Sequence, residues 1–275
     1  MSILIRPFST NADYHDSEAL QHRAWAMDSD LDVVPLHMLL AVQKNGGVLL
    51  GAFDNGVLVG FVFGYPGLTA AGEIKHCSHM MGVAPEYRSR GVGQQLKLAQ
   101  RQFVLDQGID LVTWTYDPLE SRNAYLNIHK LGAVCRTYIR DYYGPMADGL
   151  NVGLPSDRLR VNWWISSERV RQRALEGTVR RDSAPFQLAN NTGQSASGHV
   201  TPGALHLDLS GSPLGIEIPV DYQSIKGADR GLALAWRKAT RTMLEVYFGA
   251  GYLVVDLVNQ WASGERRSFY VLRRE

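Results

Sequence analysis

Ser78-His79-Met80-Met81-Gly82-Val83-Ala84-Pro85-Glu86-Tyr87-Arg88-Ser89-Arg90-Gly91-Val92-Gly93-Gln94-Gln95-Leu96 changes period partway along its length. The apolar run to Val83 reads as a buried strand, and Pro85 stops it because proline cannot donate to a ladder. Beyond Gly93, Leu96, Ala99, Phe103 and Val104 recur at helical spacing. Between strand and helix lies a turn rich in arginine and glycine. A helix start presents free backbone N–H groups, and Gly91 and Gly93 let a ligand approach the main chain closely. Arg88 and Arg90 add positive charge, so the turn suits a phosphate or pyrophosphate. It is neither the G-x-G-x-x-G of a dinucleotide site nor the G-x-x-x-x-G-K-[ST] of a P-loop.

Working outward, residues 3–6 read as a first strand, and Thr10 or Asn11 as the cap of a helix running towards Met27. A second helix is expected from Pro35 to about Lys44. Residues 48–53 and 57–65 form a hairpin about Asp54-Asn55-Gly56, since Asn-Gly between apolar runs is a strong hairpin signal. A further strand spans about 73–83, Gly108 closes the helix after the turn, and 111–116 is the next strand.

The Val-x-Pro at Val83 and Pro85, followed by Arg88-Ser89-Arg90-Gly91-Val92-Gly93, resembles the acyl-CoA loop of the GCN5-related N-acetyltransferase (GNAT) superfamily. The order strand–helix–helix–three strands–helix–strand is similar to that family as well, over residues 1 to about 145. The resemblance implies a mixed-sheet α/β acyltransferase fold in which the fourth and fifth strands splay. Met81 and Val83 would then offer backbone groups to the pantetheine amides, with Gly82, Arg88, Ser89, Arg90, Gly91, Val92, Gly93 and Gln94 around the cofactor. The stretch from Asp117 to Ala133 resembles the family's last motif, with Asn123 and Ala124 at its start and Lys130-Leu131-Gly132 at its end. Asn123 joins the cofactor set on that ground. Two positions depart from the pattern: Ile128 stands where a tyrosine acid is common, and Ala133 where an aromatic is usual. Tyr125, one turn earlier, is a substitute acid or an ordinary packing residue.

Acyl transfer from a thioester to an amine needs a neutral amine, a donor to the thioester carbonyl and a proton or charge for the leaving thiolate. Strand alternation places Cys77, His79, Met81 and Val83 on one face and His76, Ser78 and Met80 on the other. His79 is the group nearest the loop that titrates near neutral pH, and is the candidate base. Asp117 is a candidate for orienting the amine or the histidine, with Glu73 behind it. Cys77 reads as an inert buried thiol, and no metal site is expected from His76-Cys77-Ser78-His79.

The chain has 275 residues, formal net charge +1 and two cysteines, Cys77 and Cys135. That balance offers no field for nucleic acid or an anionic membrane, and two cysteines make no disulfide framework. Residues 1–7 read as too short for a signal peptide, and no apolar run approaches a membrane span, so a soluble cytoplasmic protein is expected.

Residues 1–150 are read as the acyltransferase domain, 151–203 as a connecting strand, helix and polar loop, and 204–275 as a smaller α/β extension. In the extension, Leu232, Trp236, Ala239, Met243 and Tyr247 mark an amphipathic helix between strands at 205–209, 215–220, 252–258 and 268–272. Arg230-Gly231 opening that helix echoes Arg90-Gly91, so the extension is either a degenerate GNAT-like half, with a homodimer surface as a further option, or an unrelated helix between strands. The ending and extension resemble a bacterial branch of the superfamily, some of whose members are associated with N-succinylation of amino acids. The expected reaction is transfer of an acetyl or other short acyl group, such as succinyl, from acyl-CoA to a small primary amine. A silent acyl-CoA sensor module and a two-lobed transferase on an aminoacyl-tRNA or peptidoglycan precursor are the alternatives.

Overall fold

The computed structural model describes residues 3–25, 27, 29–144, 153–176, 185–262 and 264–274. The chain runs through β1 (Ile3–Pro7), α1 (Asn11–Trp25), α2 (Leu36–Lys44), β2 (Val48–Asp54), β3 (Val57–Leu68), β4 (Ile74–Val83), α3 (Val92–Asp106) and β5 (Leu111–Tyr116). Next come α4 (Ser121–Ala124), a π-helical turn over Tyr125–Lys130, β6 (Val134–Ile139), β7 (Arg158–Trp164) and α5 (Glu168–Glu176). The remainder is β8 (Gln187–Leu188), β9 (Asn190–Gln194), β10 (Val200–Leu205), β11 (Leu214–Ile218), α6 (Tyr222–Ala228), α7 (Arg230–Gly249), β12 (Tyr252–Ala262) and β13 (Glu265–Arg274). The architecture is mixed α/β.

Contacts divide the chain into two compact units. One holds Met1–Trp114 with Trp164–Ala174, and the other Thr115–Trp163 with Leu175–Glu275. The boundary falls inside β5, whereas the three segments read from the sequence follow chain order.

In the first unit the strands lie in the order β1-β2-β3-β4-β5, antiparallel as far as β4, which takes β5 in parallel. The β2–β3 turn places Asn55 at φ 50° and Gly56 at φ 84°, the two left-handed residues that a type I′ hairpin requires. Thr10 Oγ1 accepts from Asp13 N at 3.2 Å, and the Asp13 carboxylate accepts from Ser9 N and Thr10 N, which closes the start of α1. Arg6 forks onto the same carboxylate at 2.7 and 2.9 Å and ties β1 to α1. Phe8, Tyr14, Leu20, Leu39, Phe61 and Phe63 form the core beneath α1 and α2.

In the second unit the order is β7-β6-β12-β13-β11-β8. Helix α7 buries Trp236, Ala239, Met243 and Tyr247, as its spacing implies. The polar loop that the reading of 151–203 ends on needs correction over its described part, because β9 and β10 pair there as an antiparallel hairpin. Asn190 explains how so polar a segment is held: its side chain accepts from Glu217 N at 2.9 Å and donates to Glu217 O at 3.1 Å, imitating a backbone pairing. Residues 177–184 of that segment, and 145–152 about the boundary read at residue 150, lie outside the described residues.

Candidate active site

The Arg–Gly turn lies between β4 and α3 in the first unit. A short 3-10 turn at Pro85–Tyr87 follows β4; Ser89 then takes φ 63° and Gly91 φ 83°, so that the chain turns sharply before α3 begins at Val92. No side chain caps α3, and no acidic residue stands in its first turn. Its opening N–H groups and the positive end of its dipole therefore suit an anion. Arg90 lies over the Tyr87 ring at 5.4 Å. Arg88 turns back into the fold: Nε reaches Val83 O at 3.4 Å and Nη2 donates to the Ala24 carbonyl in the last turn of α1.

Strand β4 carries a bulge at His79. Phe63 lies opposite Met80 and Gly64 opposite Ser78, which leaves His79 as the extra residue. This corrects the simple alternation read from the sequence. Before the bulge His76 and Ser78 share a face, and after it Met81, opposite Val62, and Val83, opposite Gly60, continue that face. Met80 instead packs into the core cluster with Phe63. His79 is exposed at the bulge with Phe63 and Tyr65 rings 5.8 and 5.9 Å from its own. Partial desolvation lowers its pKa from the ordinary 6.5, which keeps the imidazole neutral and able to accept a proton near pH 7. Gly82 is a close approach: a Cβ there would stand 3.0 Å from both Phe61 and Trp25.

The β4–β5 ladder holds only His76 with Val112 and Cys77 with Thr113. Past that point β4 keeps β3 on one side, and within this unit its other edge, at Met81 to Val83, has no strand partner. Such an edge can take amide groups of an extended ligand.

Beside the fork where β4 and β5 part after Cys77 and Thr113 lies a buried polar cluster that periodicity alone misses. The interior face of α3 is Val92, Leu96, Lys97, Gln100 and Val104, with Ala99 and Phe103 only half-buried. Lys97 Nζ donates to Ser78 Oγ at 2.6 Å and to Gln100 Oε1 at 3.1 Å, and sits 3.8 Å from the Trp114 ring centre. Gln100 Nε2 lies 3.1 Å from His76 Nε2, and His76 Nδ1 has no partner. Burial, reinforced by the Lys97 charge, pushes His76 down to about 4, and burial pushes Lys97 down to about 7. A charged residue within an otherwise apolar helical stripe is the only trace this cluster leaves in the sequence.

Asp117, Asn123 and Tyr125 belong to the second unit. The Asp117 carboxylate takes both arms of the buried Arg237 at 2.8 and 2.6 Å and accepts from Leu119 N at 2.9 Å. Burial alone would raise its pKa, but the Arg237 charge and hydrogen bonds outweigh that and lower it. So engaged, Asp117 anchors its turn to α7. Asn123 is exposed, Ile128 is fully buried, and Tyr125 stacks on His129 at 4.6 Å. His129 Nδ1 in turn meets Asp256 Oδ1 at 2.9 Å. Helix α7, whose opening echoes α3 in sequence, is capped by Asp229, which accepts from Leu232 N at 2.9 Å; its start is thereby closed to an anion.

No curated protein matches the chain by sequence. Among solved structures it is similar to the ribosomal-protein-S18-alanine N-acetyltransferase of Escherichia coli, at 17% identity over 60% of this chain and 96% of that one, with TM-score 0.48. It is similar also to yncA of Salmonella typhimurium, determined with its cofactor acetyl-CoA, at 16% identity over 67% and 100% and TM-score 0.49. A third is Arabidopsis thaliana NAA60 in complex with a bisubstrate analogue, at 15% identity over 59% and 98% and TM-score 0.48. Residues 9–132 match the model of the Acetyltransferase (GNAT) family, so that span of the chain is a GNAT acetyltransferase domain.

Proposed function

We propose that this acetyltransferase moves an acetyl or other short acyl group from acyl-CoA to a small primary amine, with an amino acid as the favoured acceptor. The observation that carries the reading is the uncapped start of α3 behind left-handed Gly91, beside a β4 edge with no strand partner past Cys77 in its unit. The pyrophosphate would lie on the N–H groups of residues 91–94, and the pantetheine amides on Met81 and Val83. His79 takes the proton from the attacking ammonium, directly or through water; the neutral amine nitrogen then bonds to the carbonyl carbon as the C–S bond breaks, and the second proton that this nitrogen sheds passes to the departing thiolate, leaving the amide and free CoA thiol. With Asp117 held by Arg237, His79 works without that carboxylate.

The test is free-thiol release from acetyl-CoA and succinyl-CoA against a panel of amines. His79→Ala is expected to lower kcat by about 100-fold or more, the usual worth of a general base, with little change in CoA affinity. Gly91→Val, which strains a left-handed residue, is expected to weaken CoA binding instead. Because the His79 pKa is lowered, the acidic limb of the rate profile should fall below the ordinary 6.5 and vanish in His79→Ala. Absence of thiol release from every pairing, with CoA still bound, would replace this reading with an acyl-CoA-binding module.

A further inference from the structure

Ser78 and Trp114 are the first residues beyond the last β4–β5 pair, and one ammonium group stands against both. We propose that Lys97 is a wedge in this fork: its ammonium group, lodged against Ser78 of β4 and Trp114 of β5, keeps the strands apart and sets the opening that the acyl-CoA arm enters. This rests on the acyl-CoA reading above and makes Lys97 a positioning residue.

The chemistry of the wedge follows from what faces it. Strand β4 contributes Ser78 and the neutral His76, α3 contributes Gln100, and β5 contributes Trp114. Strand β3 contributes Gly64, where a Cβ would strike His76 Nε2 at 2.4 Å. Among the described residues no carboxylate pairs with Lys97, whose exposure is 2%. An ammonium has three N–H donors, and here Ser78, Gln100 and the Trp114 face receive them. An uncharged side chain of the same length would make none of these contacts, and nothing polar would then oppose extension of the parallel ladder past Cys77 and Thr113. The wedge is also sensitive to pH, because burial brings the Lys97 pKa to about 7. As pH rises through that value the charge is lost, the hold on Trp114 weakens, and the fork narrows.

The experiment measures CoA binding by calorimetry on the full chain from about pH 6 to about pH 9, for the parent, Lys97→Met and Ser78→Ala. In the parent, affinity should fall as pH rises through neutrality. Lys97→Met should bind CoA about tenfold more weakly at the acidic end and lose that pH dependence, tenfold being about 1.4 kcal/mol. Ser78→Ala keeps the lysine and removes only the 2.6 Å contact. It should shift affinity the same way by a smaller factor, and it carries the test should Lys97→Met not fold. A merely structural lysine would change thermal stability and leave the pH profile of binding alone. Unchanged affinity and profile in both variants, or a parent that binds no CoA, would overturn the wedge. A parent that binds CoA with the Lys97-dependent profile yet releases no thiol would uphold the wedge and remove acyl transfer.

Discussion

Lys97 carries its charge at the expense of stability. Its folded pKa of about 7 lies below the ordinary 10.5, so between those values the unfolded chain holds a proton that the folded chain has released. Stability should therefore rise with pH across that window, and below about pH 7 the burial penalty is present in full. Lys97→Met removes the penalty, and the remaining Ser78 hydroxyl still donates to Gln100 Oε1 at 3.0 Å. The variant is expected to be more stable than the parent at pH 7, by on the order of a few kcal/mol and read as a higher melting point, with a flatter pH dependence above it. A lower melting point would mean that the ammonium is a net stabiliser. At this scale the sequence singled out Gly91 and His79 as candidates, one through a motif and the other through the intrinsic pKa of a histidine. It did not show Lys97, because a lysine within a helix ordinarily reads as a solvated face. The burial of Lys97 is decided by Ser78 and Trp114, which come from two other elements. The partner of Asp117 was hidden for a related reason: the arginine that engages it lies 120 positions away.

At the scale of elements, the hairpin turn, α3 and β5 were legible to within a residue or two, since each is marked by local signals: Asn55-Gly56, Gly108 and a change of period; β3 alone runs three residues past its expected end, to Leu68. The bulge at His79 was not, because a two-residue period carries no mark of where one residue is extra; only the register against β3 reveals it. Arg88 shows a second limit. The motif points it at a phosphate, while the structure shows it on the carbonyls of Val83 and Ala24, fastening the end of α1 to the turn. Arg88→Ala is accordingly expected to lower stability by about 1–2 kcal/mol, read as a fall in melting temperature. Its loss of CoA affinity would then be shared with that fall. Lost affinity at an unchanged melting point would instead assign the guanidinium to the ligand.

For the molecule as a whole, the compact units do not coincide with continuous stretches of chain. The first needs Trp164–Ala174, and the seam is specific: Arg101 Nε donates to Ile165 O at 2.8 Å and Ile165 N to Asp110 O at 2.9 Å. A fragment of residues 1–150, the boundary suggested by the sequence, lacks that segment. It is expected to unfold at a lower temperature and less cooperatively than the full chain, measured by circular dichroism; a fragment as stable as the parent would show the seam to be dispensable. The same threading sets a timetable for synthesis. The first unit has its sheet strands by Trp114, yet it cannot close until Ala174 is available, a further 60 residues along the chain. At about 5–20 residues per second that is a delay of roughly 3–12 s, during which the backbone groups of Asp110 and the Arg101 guanidinium await partners that have not yet been made.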